Sequence, residues 1–459
     1  MGSALRERMS GVDHAWLRME GPAHPMTIVG LLVLEGRLTL AALKRVISAR
    51  FLAYPRFRCR PVADPTGGGL WEIAEDFDLD AHVVAARLGA RARQRELEHL
   101  VGRLASAPLP AGRPLWQFHL VERYAGGSAI IARIHHCYAD GIALVRVMLS
   151  MTGATSAESR VAPEARHPQA GSGAAGWTDL LAPVADVFSG PMTDALGKSV
   201  DVAAEAAKLA WMGRDARTRF KGALSGAKRV AWAAPVPLDE VKAIAAALDC
   251  SVNDVLVCVA AGALRGYLAG HGERIEGADV RAIVPVNLRP ARTEPELGNR
   301  FGLVFLDLPL VEHPLERLYE VRRRMAALKG SRQPAITLAL LAAVGLGPRA
   351  VQEGVTRFLG RNASVVMTNV PGPGTPLYLG GERLREVEFW VPQAAGIGLG
   401  LSLLSYDGRV GFGVMSDAAL VPDPGRIVAR FAEQFALLTW ITLMSPWEGR
   451  RRRPRRPRS

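Results

Sequence analysis

Two strand-like runs, Trp116–Glu122 and Ser128–His136, flank Arg123-Tyr124-Ala125-Gly126-Gly127. Apolar and aromatic residues on either side of a glycine-containing loop predict a β-hairpin. The second run ends in His135-His136-Cys137-Tyr138-Ala139-Asp140-Gly141, and from Gly141 to Met151 the apolar residues recur at helical spacing. The chain must therefore turn sharply from strand to helix between these histidines and Gly141. That requirement points to a mixed α/β architecture and sets two titratable rings at a strand end.

Neighbouring residues on a strand point to opposite faces. His136 then shares its face with Ile134, Ala132 and Ile130, and His135 lies with Arg133 and Ile131. Such a pair makes a poor joint metal site, and no nearby Cys or Glu completes a ligand set, so no metal is expected. An imidazole among apolar neighbours stays neutral near pH 7 and can accept a proton, which makes His136 the candidate base and His135 its support. Asp140 could fix the turn by hydrogen bonds, pair with an arginine from elsewhere, or relay directly to a histidine. Spacing leaves these open. A satisfied core histidine followed by an ordinary Asp-Gly turn explains the same residues without any chemistry.

The 459 residues are 49% hydrophobic and 22% charged, the proportions of a globular chain with two or three domains' worth of core. Cys59, Cys137, Cys250 and Cys258 lack paired spacing, which predicts neither a zinc ribbon nor a disulfide framework and fits a reducing cytoplasmic compartment. The N-terminus lacks a signal peptide's apolar core. The longest apolar stretches, Ile336–Gly347 and Phe435–Met444, fall short of the roughly 20 residues of a spanning helix, leaving an interfacial role open. Seven arginines after residue 449 contribute over half of the net charge of +13. Such a tail reads first as a disordered solubilising segment, then as a contact for anionic lipid. Nucleic acid ranks last, since no recognisable nucleic-acid fold precedes the tail.

Along the chain, Thr27–Leu34 predicts a strand and Leu38–Phe51 a helix. An Ala/Gly/Ser/Pro-rich stretch begins near Thr152. Further on come helices at Leu238–Leu248 and Val252–Leu268, and strands at Arg281–Val286, Leu303–Leu308, Ala363–Met367, Ile397–Leu404 and Val410–Met415. A final helix runs from Gly425 to about Leu438. The expected division is an N-terminal domain over 1–155, a linker with crossover helices over 156–230, a C-terminal domain over 231–445 and the Arg-rich tail over 446–459. Gly190–Ser199 has six residues, not four, between its glycines and is no Walker A loop. Gly396-Ile397-Gly398-Leu399-Gly400 lacks dinucleotide-site spacing, and the chain has no GxSxG.

The run from His135 to Gly141 resembles the HHxxxDG motif of the bacterial wax ester synthase/diacylglycerol acyltransferase family. It is more distantly similar to the HxxxD signature of the chloramphenicol acetyltransferase-like superfamily. Asp13, Trp16, Leu17 and Glu20 before Pro25–Gly30 resemble the family's N-terminal strand region, with Trp16 where Phe is more frequent. Pro114–Glu122, Val252–Leu256, Val284–Arg289 and Leu297–Arg300 match in order. Thr368-Asn369-Val370-Pro371-Gly372-Pro373 also resembles the family, with Thr368 where Ser is usual. The resemblance spans about residues 9–440 and leaves out the tail.

It implies an α/β fold of two chloramphenicol acetyltransferase-like mixed-sheet domains with a central substrate tunnel. His136 would deprotonate an alcohol that attacks the thioester of an acyl-CoA, acting as co-substrate, with no cofactor, metal or acyl-enzyme. Ser251–Asp254 reads as a capping box, putting Asn253 at the positive end of a helix as an oxyanion donor, a substrate-orienting group, or merely part of the cap. Relatives of this fold pair the motif's Asp with an arginine, for which Arg289 is the candidate and Arg300 the alternative. Gly141 would support the turn, and Thr368 and Asn369 would line the tunnel. Expected partners are diacylglycerol or a lipid alcohol, with peripheral contact to the inner membrane or lipid inclusions and no nucleic acid. Two rival readings are a catalytically weak lipid-binding protein of inclusions and a same-fold acyltransferase acting on another alcohol.

Overall fold

The computed structural model describes residues 6–65, 68–89, 92–160, 209, 211–288 and 297–444. Gly190–Ser199, Arg289, most of the expected linker and the Arg-rich tail lie outside them. The hairpin forms, with strands Trp116–Tyr124 and Gly127–His135. Ala125 and Gly126 both take positive φ (48° and 87°), the conformation of a two-residue turn whose twist matches the flanking strands. The strand that carries the histidine motif is buried along its whole length. Ile130, Ala132 and Ile134 face one core, and Ala129 and Ile131 face another. A strand covered on both sides reads as a continuous apolar run, which is how its sequence reads.

Two mixed sheets organise the molecule. The first runs Tyr378–Leu379, Glu382–Trp390, Thr27–Leu34, Gly127–His135, Trp116–Tyr124 and Val83–Ala86. The second runs Phe301–Pro309, Asp279–Asn287, Val365–Pro371, Leu399–Tyr406, Arg409–Asp417 and Lys228–Trp232. A small third sheet joins Arg6–Arg8, Gly69–Ile73 and Cys59–Ala63. Strand Glu382–Trp390 crosses from the second half of the chain into the first sheet, where it pairs antiparallel with Thr27–Leu34. The expected boundary at 231 thus divides the sequence but not the sheets. This strand escaped the sequence reading because Glu382, Arg383, Arg385, Glu386 and Glu388 dilute its apolar pattern.

Helices Val252–Ala269 and Gly425–Met444 pack on one face of the second sheet. Both are long and apolar enough to cross a membrane by length and composition. The first is buried in the core, whereas the second leaves Leu437, Trp440, Leu443 and Met444 exposed. On the sheet's other face lie Gln333–Leu346 and the N-terminal helix Gly11–Met19, packed closely together. A Cβ on Gly345 would fall 1.6 Å from the Gly11 carbonyl oxygen, so only glycine permits that approach.

Candidate active site

His136 is the first residue past its strand, and its amide donates to the Met26 carbonyl at 2.7 Å. The imidazole stacks on Trp16, with ring centroids 3.9 Å apart and planes 20° from parallel. Phe301 approaches from the other half of the chain at 5.8 Å. Burial in this aromatic slot pushes the pKa of His136 down to about 4, beyond the opposing pull of its own carbonyl and of Asp140. The ring is therefore neutral at pH 7. Nδ1 is sealed from solvent and makes no well-aligned bond among the described residues. Its own backbone carbonyl and the Asn299 side chain are within reach of it, which leaves Nε2 to meet a substrate.

His135 is wholly buried and pairs in register with Thr27. Its Nδ1 accepts from the Cys137 amide at 3.1 Å, so the proton resides on Nε2, 3.5 Å from a Glu20 carboxylate oxygen. Burial raises the Glu20 pKa, but the His135 ring, the Met26 amide and His24 together outweigh it and the net shift is downward. The two histidines thus have separate partners, as the strand alternation requires.

Asp140 caps the helix Gly141–Ser150, one carboxylate oxygen accepting from the Ala143 amide at 2.9 Å. The other accepts from the Arg300 backbone amide at 3.1 Å. One of the roles left open for Asp140, the hydrogen-bonded turn, is formed, and it is tied across the chain through the main chain of Arg300. Arg289 lies outside the described residues. A Cβ on Gly141 would meet Val391 at 3.6 Å and Phe389 at 3.8 Å, so space does not demand glycine there. Gly141 instead leaves the helix N-terminus open to the cavity that it lines.

Asn299 is the residue whose importance the sequence reading missed. Its Nδ2 donates to the His136 carbonyl at 2.9 Å and to Asp13 Oδ1 at 2.8 Å, while its backbone amide reaches the same Asp13 oxygen at 3.0 Å. Burial raises the Asp13 carboxyl pKa against these bonds and that of Ser10. One buried amide thus links the N-terminal helix, the histidine turn and the second half. Leu297–Arg300 stood out as a matched motif, but contacts across 286 residues of sequence leave no local signal.

The cavity beside His136 is about 640 Å³ and walled mainly by apolar groups, among them Ile142, Phe301, Leu341 and Val391. Thr368 and Asn369 line it as expected. Asn253 differs from the expectation. The capping box of Ser251 and Asp254 is present, but Asn253 does not line the cavity; its Oδ1 accepts from Asn369 Nδ2 at 2.9 Å. Asn369 is the amide presented to the cavity, with Asn253 fixing its orientation.

The chain is similar to known proteins in both sequence and fold. A model of the wax ester synthase/diacylglycerol acyltransferase catalytic domain matches residues 9–256, and one of the WS/DGAT C-terminal domain matches residues 297–439. The chain is 29% identical over 408 residues to a probable diacylglycerol O-acyltransferase of Mycobacterium tuberculosis, covering 84% of each. It is 29% identical over 474 residues to a putative diacylglycerol O-acyltransferase of Mycobacterium bovis, covering 95% of this chain and 92% of that one. Among solved structures it resembles the wax ester synthase/diacylglycerol acyltransferase from Marinobacter aquaeolei VT8, with a TM-score of 0.70, 22% identity and coverage of 95% and 100%. It also resembles the first condensation domain of the CDA synthetase, with a TM-score of 0.61, 17% identity and coverage of 95% and 97%. At these identities the structural likenesses establish the fold.

Proposed function

Because the chain belongs to the wax ester synthase/diacylglycerol acyltransferase family and is an O-acyltransferase of that type, we propose that His136 is its general base. Nε2 takes the hydroxyl proton of diacylglycerol or a long-chain alcohol as that oxygen attacks the thioester carbonyl of a fatty acyl-CoA. The tetrahedral intermediate expels CoA as a thiolate, which recovers the proton from the imidazolium, leaving an ester and free CoA. The step uses no cofactor or metal; acyl-CoA enters as co-substrate.

The observation that carries this reading is the neutral imidazole set in the wall of an apolar cavity. A base with a pKa of about 4 gives up proton-transfer driving force but is fully available at neutral pH. Stacking on Trp16 and the Asn299 bond to its carbonyl support a fixed ring, so positioning offsets weak basicity. We assign the oxyanion contact to Asn369, steadied by Asn253, with Thr368 beside it. His135, Asp140 and Gly141 shape the turn.

We further place the enzyme on the cytoplasmic side, at the surface of the inner membrane or of lipid inclusions. The exposed Leu437, Trp440, Leu443 and Met444 support that contact. Product analysis with palmitoyl-CoA and either diacylglycerol or hexadecanol tests the acceptor: ester with at least one of them is expected. Ester formed only with some other alcohol would overturn this acceptor assignment.

A further inference from the structure

The cavity beside His136 shares Gly360, Arg361 and Ala395 with a second recess of about 400 Å³. Arg214, Arg217, Lys221 and Arg361 line that recess, and Asp215 is the one acidic residue among its described lining. Asp215 is already occupied. Buried beneath the 211–222 loop, it accepts from Lys221 Nζ at 3.2 Å, from the Arg281 amide at 2.9 Å and from the Ser364 hydroxyl. Lys221 also donates to the Arg361 carbonyl at 3.2 Å, and the Gly222 amide to the Gly396 carbonyl at 2.9 Å. The loop is therefore pinned to the second sheet and to the helix Arg349–Asn362, and Arg214 and Arg217 project from a fixed backbone.

The remaining cations are uncompensated among the described residues. Arg214, Arg217, Arg357 and Arg361 are exposed, and none makes an ion pair among the described residues. Arg357 and Arg361 stand four apart on one helix, a like-charge arrangement that weakens a helix unless an anion lies between. A pinned basic recess opening beside an apolar reaction cavity matches a ligand with phosphates at one end and an apolar chain at the other.

We propose that these four arginines receive the phosphates of the acyl-CoA donor, its 5′-diphosphate and adenosine 3′-phosphate. The donor then lies between the 211–222 loop and the helix Arg349–Asn362, its thioester toward His136. This rests on the acyl-CoA-dependent reading above. The phosphate of an anionic lipid headgroup shares the chemistry and is separated by the test.

Calorimetric titration of the full chain with free CoA needs no turnover, so it tests the site apart from the reaction. Arg214→Glu/Arg217→Glu is expected to weaken CoA binding by about tenfold or more and to flatten its salt dependence. The KM for palmitoyl-CoA should rise by a similar factor, while that for S-palmitoyl-pantetheine, which has no phosphate, should not. Arg361→Gln, which leaves the loop untouched, should weaken CoA binding in the same direction if the paired variant unfolds. No binding of CoA by the wild type, or equal binding by wild type and variants, overturns the proposal. So does loss of binding to phosphatidic acid vesicles with CoA affinity unchanged, which assigns the recess to a lipid headgroup. CoA binding that responds as expected in a protein releasing no thiol from acyl-CoA would instead overturn the functional reading and keep the site.

Discussion

His136 owes its character to its neighbours rather than to its own chemistry. In the unfolded chain it titrates near 6.5; in the slot made by Trp16 and Phe301 it titrates at about 4. The folded state therefore binds fewer protons than the unfolded state between those values, so stability is full at neutral pH and falls as pH drops from about 6.5 toward 4. His119, lowered to about 4 by burial and by Arg133, contributes in the same sense. Urea unfolding across this range should show the decline, and His136→Ala should make it shallower. A slope unchanged by that substitution would mean the ring is not held neutral. Asp140 has a different part: Asp140→Ala should cost about 1–3 kcal/mol through the lost cap and cross-chain bond, read by thermal or urea unfolding. Asp140→Asn should move the acid limb of the rate profile slightly downward, because the charge that raises the His136 pKa is lost, with kcat at neutral pH nearly kept; a large loss of kcat at neutral pH would restore the proton-relay role. The sequence distinguished the two histidines because strand alternation is a local rule. It could not distinguish the roles of Asp140, whose second partner, the amide of Arg300, lies 160 residues away.

At the scale of elements, the N-terminal helix is part of the site. It supplies Trp16 and Asp13, and its seat depends on Gly345, where a Cβ would collide with the Gly11 carbonyl. Gly345→Ala should push the helix away and lower kcat while leaving KM nearly unchanged. Unchanged kcat would show that the helix only covers the core. Asn299→Ala should act through the same link, removing the side-chain bonds to buried Asp13 and to the His136 carbonyl while the backbone bond stays, at a cost of about 1–3 kcal/mol. The hairpin and most strands of the second sheet were legible because their apolar runs are continuous. The Glu382–Trp390 strand was not, since the partners of Arg383 and the cover over Glu388 come from neighbours that only the fold supplies. The role of Asn253 was half legible: its cap position was correct, but Asn369 stands between it and the cavity.

For the whole molecule, the crossover strand makes the halves interdependent. Without Glu382–Trp390, the strand Thr27-Ile28-Val29-Gly30-Leu31-Leu32-Val33-Leu34 would become an open, almost wholly apolar sheet edge. Residues 1–230 expressed alone should aggregate, and coexpression with 231–459 should restore solubility. A soluble, monomeric 1–230 fragment would contradict this. The same assembly brings His136 and Asn369 to one cavity, with Asn299 holding the His136 carbonyl. The most direct test of that arrangement is thiol release from palmitoyl-CoA with a saturating lipid alcohol, comparing wild type with His136→Ala. Loss of the base should reduce kcat by about 10²–10⁴-fold with CoA binding retained. Thiol release by His136→Ala at the wild-type rate would contradict the assignment of His136 as the base.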